Sequence, residues 1–420
     1  MSDTVSVDTD RLRADIETNS EFGAVDVAEG IGRTVLAGTT ANKRARDYFV
    51  SQLREAGLSV SIDAVGNITG RFEPATADPD AAPVAAGSHL DSVPHGGIFD
   101  GPLGVYAAVE AVRAIQESDI EITRPIDVVC FTEEEGQRFS DGLLGSSVAV
   151  GDRSVDEALS LTSDSGVTLQ EALTEIGYHG DGLIDPHSWD SWFELHIEQD
   201  TVLERKRIPV GVVTTITGIT HCHVTIDGEA NHAGATPMTE RTDALTAAAE
   251  VILDVEECAN TIVEESSESA VGTVGSLSVE PNATNVVPGR VTLGVDIRDV
   301  AYESMQTLVT ATEDALTAIE NTRGVQTAID RPFDLEPTPM SDRLRQYVHD
   351  AGSTAGIATH DMHSGAAHDT MYIADVTDAV LLFAPSKDGI SHNPLEWTDW
   401  EDCTEATRVL AGAIARAAQE

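Results

Sequence analysis

Lysine is nearly missing from this chain: Lys43, Lys206 and Lys387 are its only three in 420 residues. Cysteine is scarce too. Cys130, Cys222, Cys258 and Cys403 lie far apart, and none forms a Cys-x-x-Cys pair. That argues against a disulfide framework or a cysteine-rich zinc site, and predicts free thiols in a cytoplasmic protein. Aromatic residues make up 5% of the sequence and hydrophobic residues 41%, enough for globular folding with few large rings. No run approaches the ~20 apolar residues of a bilayer-spanning helix. Residues 1–10 are acidic and polar, without the basic and apolar regions of a signal peptide.

What is abundant is negative charge. Aspartate and glutamate number 72 against 25 basic residues, a formal net charge of -47. Acidic chains can be disordered tails. Here the acids lie within segments that also carry apolar periodicity, which predicts an acidic surface over an ordinary core. Such a surface repels itself in dilute salt, and the penalty shrinks as the Debye length falls to ~3 Å near 1 M. The composition resembles that of proteins from extreme halophiles. It disfavours nucleic acid and anionic membrane as partners.

The length predicts two domains. Residues 42–56 read as a helix, with Ala45, Tyr48, Phe49 and Leu53 on one face and Gly57 as its stop. Strand-like runs follow at 59–64, 67–72 and 84–88, then a helix at 103–116 and a buried strand at 125–131. A short helix at 169–176 and a strand at 192–197 complete this part. Strands alternating with helices predict an α/β domain with a largely parallel sheet. After residue 214 the order becomes β-α-β-β-α with a further short strand at 326–330, that of a ferredoxin-like α+β insert. The α/β pattern resumes with a helix at 341–351, a strand at 379–383 and a helix at 396–419.

Five potential metal ligands sit at the ends of strand-like runs or in the loops beyond them: His89, Asp100, Glu135, His196 and His392. Open α/β sheets place their sites there. Zinc takes imidazole and carboxylate ligands, and a pair of zincs needs a carboxylate that can bridge. Asp100 lies in the glycine-flanked turn GGIFDGPLGV, where a buried acid needs a strong positive partner. Asp91 can accept the second ring N–H of His89. The run Glu133-Glu134-Glu135 follows an apolar strand, near a core where three acids repel one another unless cations are present. Any one of these histidines, taken alone, is more often an ordinary core or surface residue. The acidic run alone could be a solvated loop.

The motifs accumulate in order: DAVGNITGR (63–71), GSHLDSVPHGGIFDGPLGV (87–105), FTEEEGQRF (131–139), ELHIEQ (194–199), NHAGATPM (231–238), NVVPG (285–289), DIR (296–298), SGAAHD (364–369) and SHNPLEWT (391–398). With them the chain resembles, over nearly its whole length, the hydantoinase/carbamoylase family of zinc amidohydrolases. That family comprises N-carbamoyl-L-amino-acid hydrolases, β-ureidopropionases and allantoate amidohydrolases. The resemblance implies a zinc-aminopeptidase-like α/β catalytic domain with a mostly parallel sheet (residues 1–213 and 331–420). A smaller ferredoxin-like domain (214–330) interrupts it, serves as a lid and joins two copies into a homodimer.

The resemblance also implies roles. His89 and His196 hold one divalent ion, Glu135 and His392 the other, with Asp100 between them. The ions are zinc, with manganese or cobalt as alternatives. Glu134 is the general base. Gln199, His232, Asn285 and Arg298 bind substrate, with His232 reaching into the partner's site as oxyanion donor. Asp91 and His368, the latter beside Asp369, support the ligands from behind. The implied reaction is hydrolysis of an N-carbamoyl-L-amino acid to amino acid, ammonia and carbon dioxide. Allantoate or N-carbamoyl-β-alanine is the nearest alternative substrate. An aminoacylase or dipeptidase, or a metal-free binding protein on the same fold, is a wider alternative; the last would be favoured by loss of a ligand or of the base, and none is lost. For Arg298 the alternative use is an ion pair with Asp296 or Asp299. The chain departs from the family pattern at Asp200-Thr201, where Gly-Pro is usual, and at Ala366-Ala367, where Ala-Gly is usual.

Overall fold

The runs at 84–89, 126–131, 191–197 and 378–384 are buried almost from end to end, a pattern that suits strands covered on both faces. The structure, a computed structural model, describes residues 5–78 and 80–420. The chain divides into two units, Met1–Thr214 with Pro339–Glu420, and Thr215–Thr338. Among the described residues no helix is long and apolar enough to cross a membrane.

The first unit is built on one mixed sheet. Its strands are β1 (Ser59–Ile62), β2 (Ile68–Phe72), β3 (Val84–His89), β4 (Ile126–Phe131), β5 (Ser191–Ile197), β6 (Val210–Ile216), β7 (Thr338–Pro339), β8 (Thr359–Ser364) and β9 (Asp378–Ala384). They lie in the order β7-β6-β9-β5-β3-β4-β2-β1, with β8 paired to β6. The central four, β9, β5, β3 and β4, are parallel. The flanks β6, β2 and β1 run antiparallel to their neighbours. Side chains alternate across the sheet. Val84, Ala86, Ile126, Val128, Phe193, Leu195, Val380 and Leu382 enter the large core shared with the helices Pro102–Gln116 and Trp400–Ala418. Ala85, Val129, Phe131, Trp192 and Ala379 enter a smaller cluster.

Among the differences from the sequence pattern, one helix packs on the core and another bears on the site. Thr9–Ser20 forms a helix that periodicity did not announce; the Asp8 carboxylate caps it, and Leu12 and Ile16 bury its inner face. The last helix starts at Trp400, after Asp399, rather than at Glu396. The Glu396 carboxylate instead turns back onto the backbone of Phe99 and Asp100.

In the second unit the strands Gly218–Asp227, Val271–Glu280, Arg290–Asp299 and Gln326–Leu335 form an antiparallel sheet. In chain order they lie 4-1-3-2. Two helices, Ala244–Glu265 and Tyr302–Arg323, cover one face, burying Cys222, Val224, Ile226, Leu293 and Val295 against Val251, Val255 and Leu308. This is the ferredoxin-like arrangement. The unit runs on to Thr338 because its last strand continues past Asp330 to Leu335. The register slips between Asp330 and Phe333, around Pro332, yet the alternation of burial runs unbroken to Leu335; a proline inside the run is what reads as a strand end in the sequence.

Candidate metal centre

Neighbouring parallel strands β3 and β5 end at one edge of the sheet and set His89 and His196 side by side, their rings 5.9 Å apart and 25° from parallel. Nδ1 of His89 lies 3.2 Å from the carbonyl oxygen of Asp91, and Nδ1 of His196 lies 3.0 Å from that of Ile197. A carbonyl only accepts, so each Nδ1 carries the proton and each Nε2 presents a lone pair. Both Nε2 atoms face Asp100 Oδ1, at 3.5 and 3.3 Å. His89 Nε2 is buried and has no hydrogen-bond partner. On the other side of Asp100, His392 Nε2 is 3.4 Å from Oδ2 and 3.3 Å from Glu135 Oε2. Two donor groups therefore share one carboxylate: His89, Asp100 and His196, and Asp100, Glu135 and His392, each with ligand atoms within 4.8 Å of one another.

Electron-pair donors this close repel one another in a buried site unless a cation lies among them. Burial works against charge on His89, but Glu134, Asp100 and Asp91 raise its pKa well above the usual range, which marks how negative the surroundings of its ring are. Burial would likewise raise Asp100, yet His196, His392 and His89 hold its pKa well below the usual value. The orphaned Nε2 and the mixed imidazole and carboxylate set fit divalent cations.

The turn that carries Asp100 is held from several sides. Gly101 has φ +78°, and a Cβ there would lie 2.6 Å from the His89 ring, so only glycine fits. Buried Arg33 donates to the carbonyls of Gly97, Leu90 and Asp100 at 3.0, 3.3 and 3.3 Å. Glu396 accepts the N–H groups of Phe99 and Asp100 at 2.9 and 3.1 Å. Gln199 Nε2 donates to Asp100 Oδ2 and to Ser391 Oγ, both at 2.9 Å.

The acidic run is sorted by its backbone. Glu133 has φ +58°, and its carboxylate accepts the N–H groups of Arg138 and Phe139, both at 2.7 Å. Glu134 Oε2 stands 3.6 Å from His89 Nε2, and Glu135 faces His392. Burial pushes the Glu134 pKa well up, with His89 opposing and Glu135 adding to it. Burial and then Asp100 push Glu135 up to about 7. Hydrogen bonding to Asp100 raises His392 to about 9. Glu133, Gln199 and His392 have φ of 58°, 60° and 54°, left-handed conformations that cost strain and that gather at this site.

The supporting residues differ in detail from the sequence reading. The His89 ring bonds the backbone carbonyl of Asp91; the Asp91 carboxylate is 3.7 Å away and accepts the N–H groups of Glu134 and Glu135 at 3.3 and 3.1 Å. His368 packs edge-on against His196 at 4.6 Å, and its Nε2 meets Ser364 Oγ at 3.2 Å. Asp369 accepts from Ser146 rather than pairing with His368. Buried Glu194, Arg33 and Glu396, and half-buried Ser391, were not singled out from the sequence. Glu194 takes the hydroxyls of Ser88 and Thr370 at 2.7 and 2.6 Å. Glu194, Ser391 and Glu396 lie inside the motifs ELHIEQ and SHNPLEWT, where His196, Gln199 and His392 carry the sequence signal.

The remaining predicted residues lie in the second unit. His232 is exposed on the short ladder Asn231–His232 with Val286–Val287, and Asn285 adjoins it through its carbonyl, 2.9 Å from Ala233 N. His232 Nδ1 accepts the N–H of Gly234 at 3.0 Å, which places the ring proton on Nε2. Arg298 makes a two-point fork with Asp296 at 3.0 and 3.1 Å.

Parallel strand ends bearing imidazoles, and a carboxylate shared by two ligand groups, describe a metallohydrolase site on an α/β sheet. The chain belongs to peptidase family M20/M25/M40, whose family profile matches residues 85–416. Within that family it is similar to the N-carbamoyl-L-amino acid amidohydrolase of Geobacillus stearothermophilus, 40% identical over 95% of this chain and 97% of that protein. It is 32% identical to the ureidoglycolate hydrolase of Arabidopsis thaliana, over 99% of this chain and 88% of that protein. The crystal structure of a hydantoinase/carbamoylase family amidase from Burkholderia multivorans superposes with TM-score 0.91 at 36% identity, covering 99% of each chain.

Proposed function

We propose that this protein hydrolyses the ureido C–N bond of N-carbamoyl-L-amino acids with two divalent metal ions, zinc in the first instance. The observation that carries the reading is Asp100, shared between two ligand groups with Glu134 beside it, in a chain 40% identical to an enzyme named for that substrate. His89 and His196 would hold one ion, Glu135 and His392 the other, and Asp100 both. When bound, such ions supply a water acidified toward neutral pH and an electrophilic pull on the substrate oxygen. Glu134 Oε2 takes a proton from the attacking water and delivers it to the leaving nitrogen. A carboxylate made more basic by burial is suited to that exchange. Ammonia departs, and the carbamate left behind loses carbon dioxide to give the amino acid.

Gln199, His232, Asn285 and Arg298 are the proposed substrate-binding residues. The Nε2–H of His232 is a suitable donor to a developing oxyanion. Arg298 supplies a guanidinium for the substrate carboxylate. The second unit is proposed to pair two copies into a homodimer. The free cysteines suit a reducing, cytoplasmic setting, and the acidic surface suits high salt. The test is a hydrolysis panel of N-carbamoyl-L-amino acids, allantoate, ureidoglycolate and N-carbamoyl-β-alanine in molar KCl, with and without chelator. Fastest turnover of an N-carbamoyl-L-amino acid, lost on chelation and restored by zinc, manganese or cobalt, is expected. Preference for another member of the panel, or full activity in metal-stripped protein, overturns the reading.

A further inference from the structure

We propose that Glu396 is a positioning residue that locks Asp100 and His392 into one ligand set, and that it governs the ion on the Glu135–His392 side in particular. The inference rests on the two-ion reading above. Glu396 is 3% exposed. Its Oε1 accepts the N–H groups of Phe99 and Asp100 at 2.9 and 3.1 Å, holding the backbone of the Asp100 turn. Its Oε2 lies 3.3 Å from Ser391 Oγ, which in turn lies 2.9 Å from Asp100 Oδ2. Ser391 immediately precedes His392. The loop is closed by Glu396 N–H donating to the Asn393 carbonyl at 2.9 Å. One carboxylate thus holds both the turn that supplies the shared ligand and the loop that supplies the distal one. The fit is close: a Cβ on residue 97 would lie 2.2 Å from Glu396 Oε1, and residue 97 is glycine.

The two ligand sets differ in what else holds them. His89 and His196 stand on buried strands of the sheet, each ring fixed by a backbone carbonyl. His392 stands on a loop, with φ +54° and a side chain 51% exposed. A residue held in a left-handed conformation relies on its surroundings to stay there. Loss of the Glu396 contacts therefore falls on the His392 side first.

The experiment titrates purified full-length protein with zinc alone and reads stoichiometry by elemental analysis, ion affinities with a competing chelator, and the visible spectrum of the cobalt-substituted form. Wild type should hold two ions. Glu396→Ala should weaken the second ion roughly 10- to 100-fold, the range seen when a ligand's outer partner is removed, with the first ion unchanged. Glu396→Gln keeps an oxygen for the two N–H groups and an amide that can donate to Ser391, so it should restore the second ion. Ser391→Ala, which leaves the turn contacts in place, should weaken the same ion and serves if Glu396→Ala does not fold. Unchanged second-ion affinity in folded Glu396→Ala or in Ser391→Ala, or equal weakening of both ions, overturns the inference while leaving the two-ion reading intact. Wild-type protein that holds a single ion overturns that reading and the inference together.

Discussion

Glu134 and Glu135 are adjacent in sequence and face different groups, His89 and His392. If Glu134 moves the proton, Glu134→Gln keeps the shape of the side chain, leaves both metal sites filled and lowers kcat by about 10²- to 10⁴-fold. Glu135→Gln should instead loosen the ion on the His392 side. Kinetics alongside elemental analysis separates the two, and exchanged phenotypes would reverse the assignment. Arg298 poses a similar choice, because its guanidinium already forms a fork with Asp296. Arg298→Lys keeps the charge and loses the planar two-point geometry. As a substrate clamp it should raise KM about tenfold or more, the loss of one charge-assisted hydrogen bond, with metal content unchanged. An unaltered KM would leave Arg298 as an ion-pair residue of its own sheet.

The turn before the helix Pro102–Gln116 is the element on which the site depends most. It must carry Asp100 under the His89 ring, and Gly101 makes this possible by a positive φ and the lack of a Cβ. Gly101→Ala is expected to cost about 1–3 kcal/mol in backbone strain, with a further penalty as His89 is displaced. The two effects are distinguishable by melting with and without zinc. Strain alone lowers both melting temperatures equally; displacement of His89 also shrinks the gain that zinc confers. An unchanged zinc-dependent gain would show that the His89 ring is not in contact with the turn.

Across the whole molecule the dominant fact is the charge of -47. Several of the arginines are committed to contacts within the fold: Arg33 lies under the Asp100 turn, and Arg71 forks Asp127 at 2.7 Å. Acidic residues outnumber basic ones 72 to 25, so the surface carries a large excess of negative charge. The unfolded chain spreads these charges apart, so screening stabilises the folded form more. Screening acts over about 10 Å at 0.1 M salt and about 3 Å at 1 M. Melting temperature and activity should therefore rise steeply between 0.1 and about 2 M KCl, a span that covers this range, and sucrose at matched water activity should help less. A flat melting temperature across that span would show a surface under no electrostatic stress.

The sequence by itself determined what local pattern can carry. Continuous apolar runs marked the buried central strands, alternation marked the strands of the second unit, and residue types at strand ends marked His89, Asp100, Glu135, His196 and His392 as potential ligands. It did not disclose β8, whose six residues Thr359–Ser364 are mostly polar, or the helix Thr9–Ser20, whose inner face holds few apolar side chains. In both, partners distant in sequence decide the structure. The tertiary structure alone decided that Asp91 meets His89 through its carbonyl, that Glu133 turns onto the N–H groups of Arg138 and Phe139, and that Glu396 reaches back across 296 residues of chain to the Asp100 backbone. The physical reason is range: periodicity records which face of an element is buried, whereas a hydrogen bond between distant segments depends on how sheet and loops bring them together.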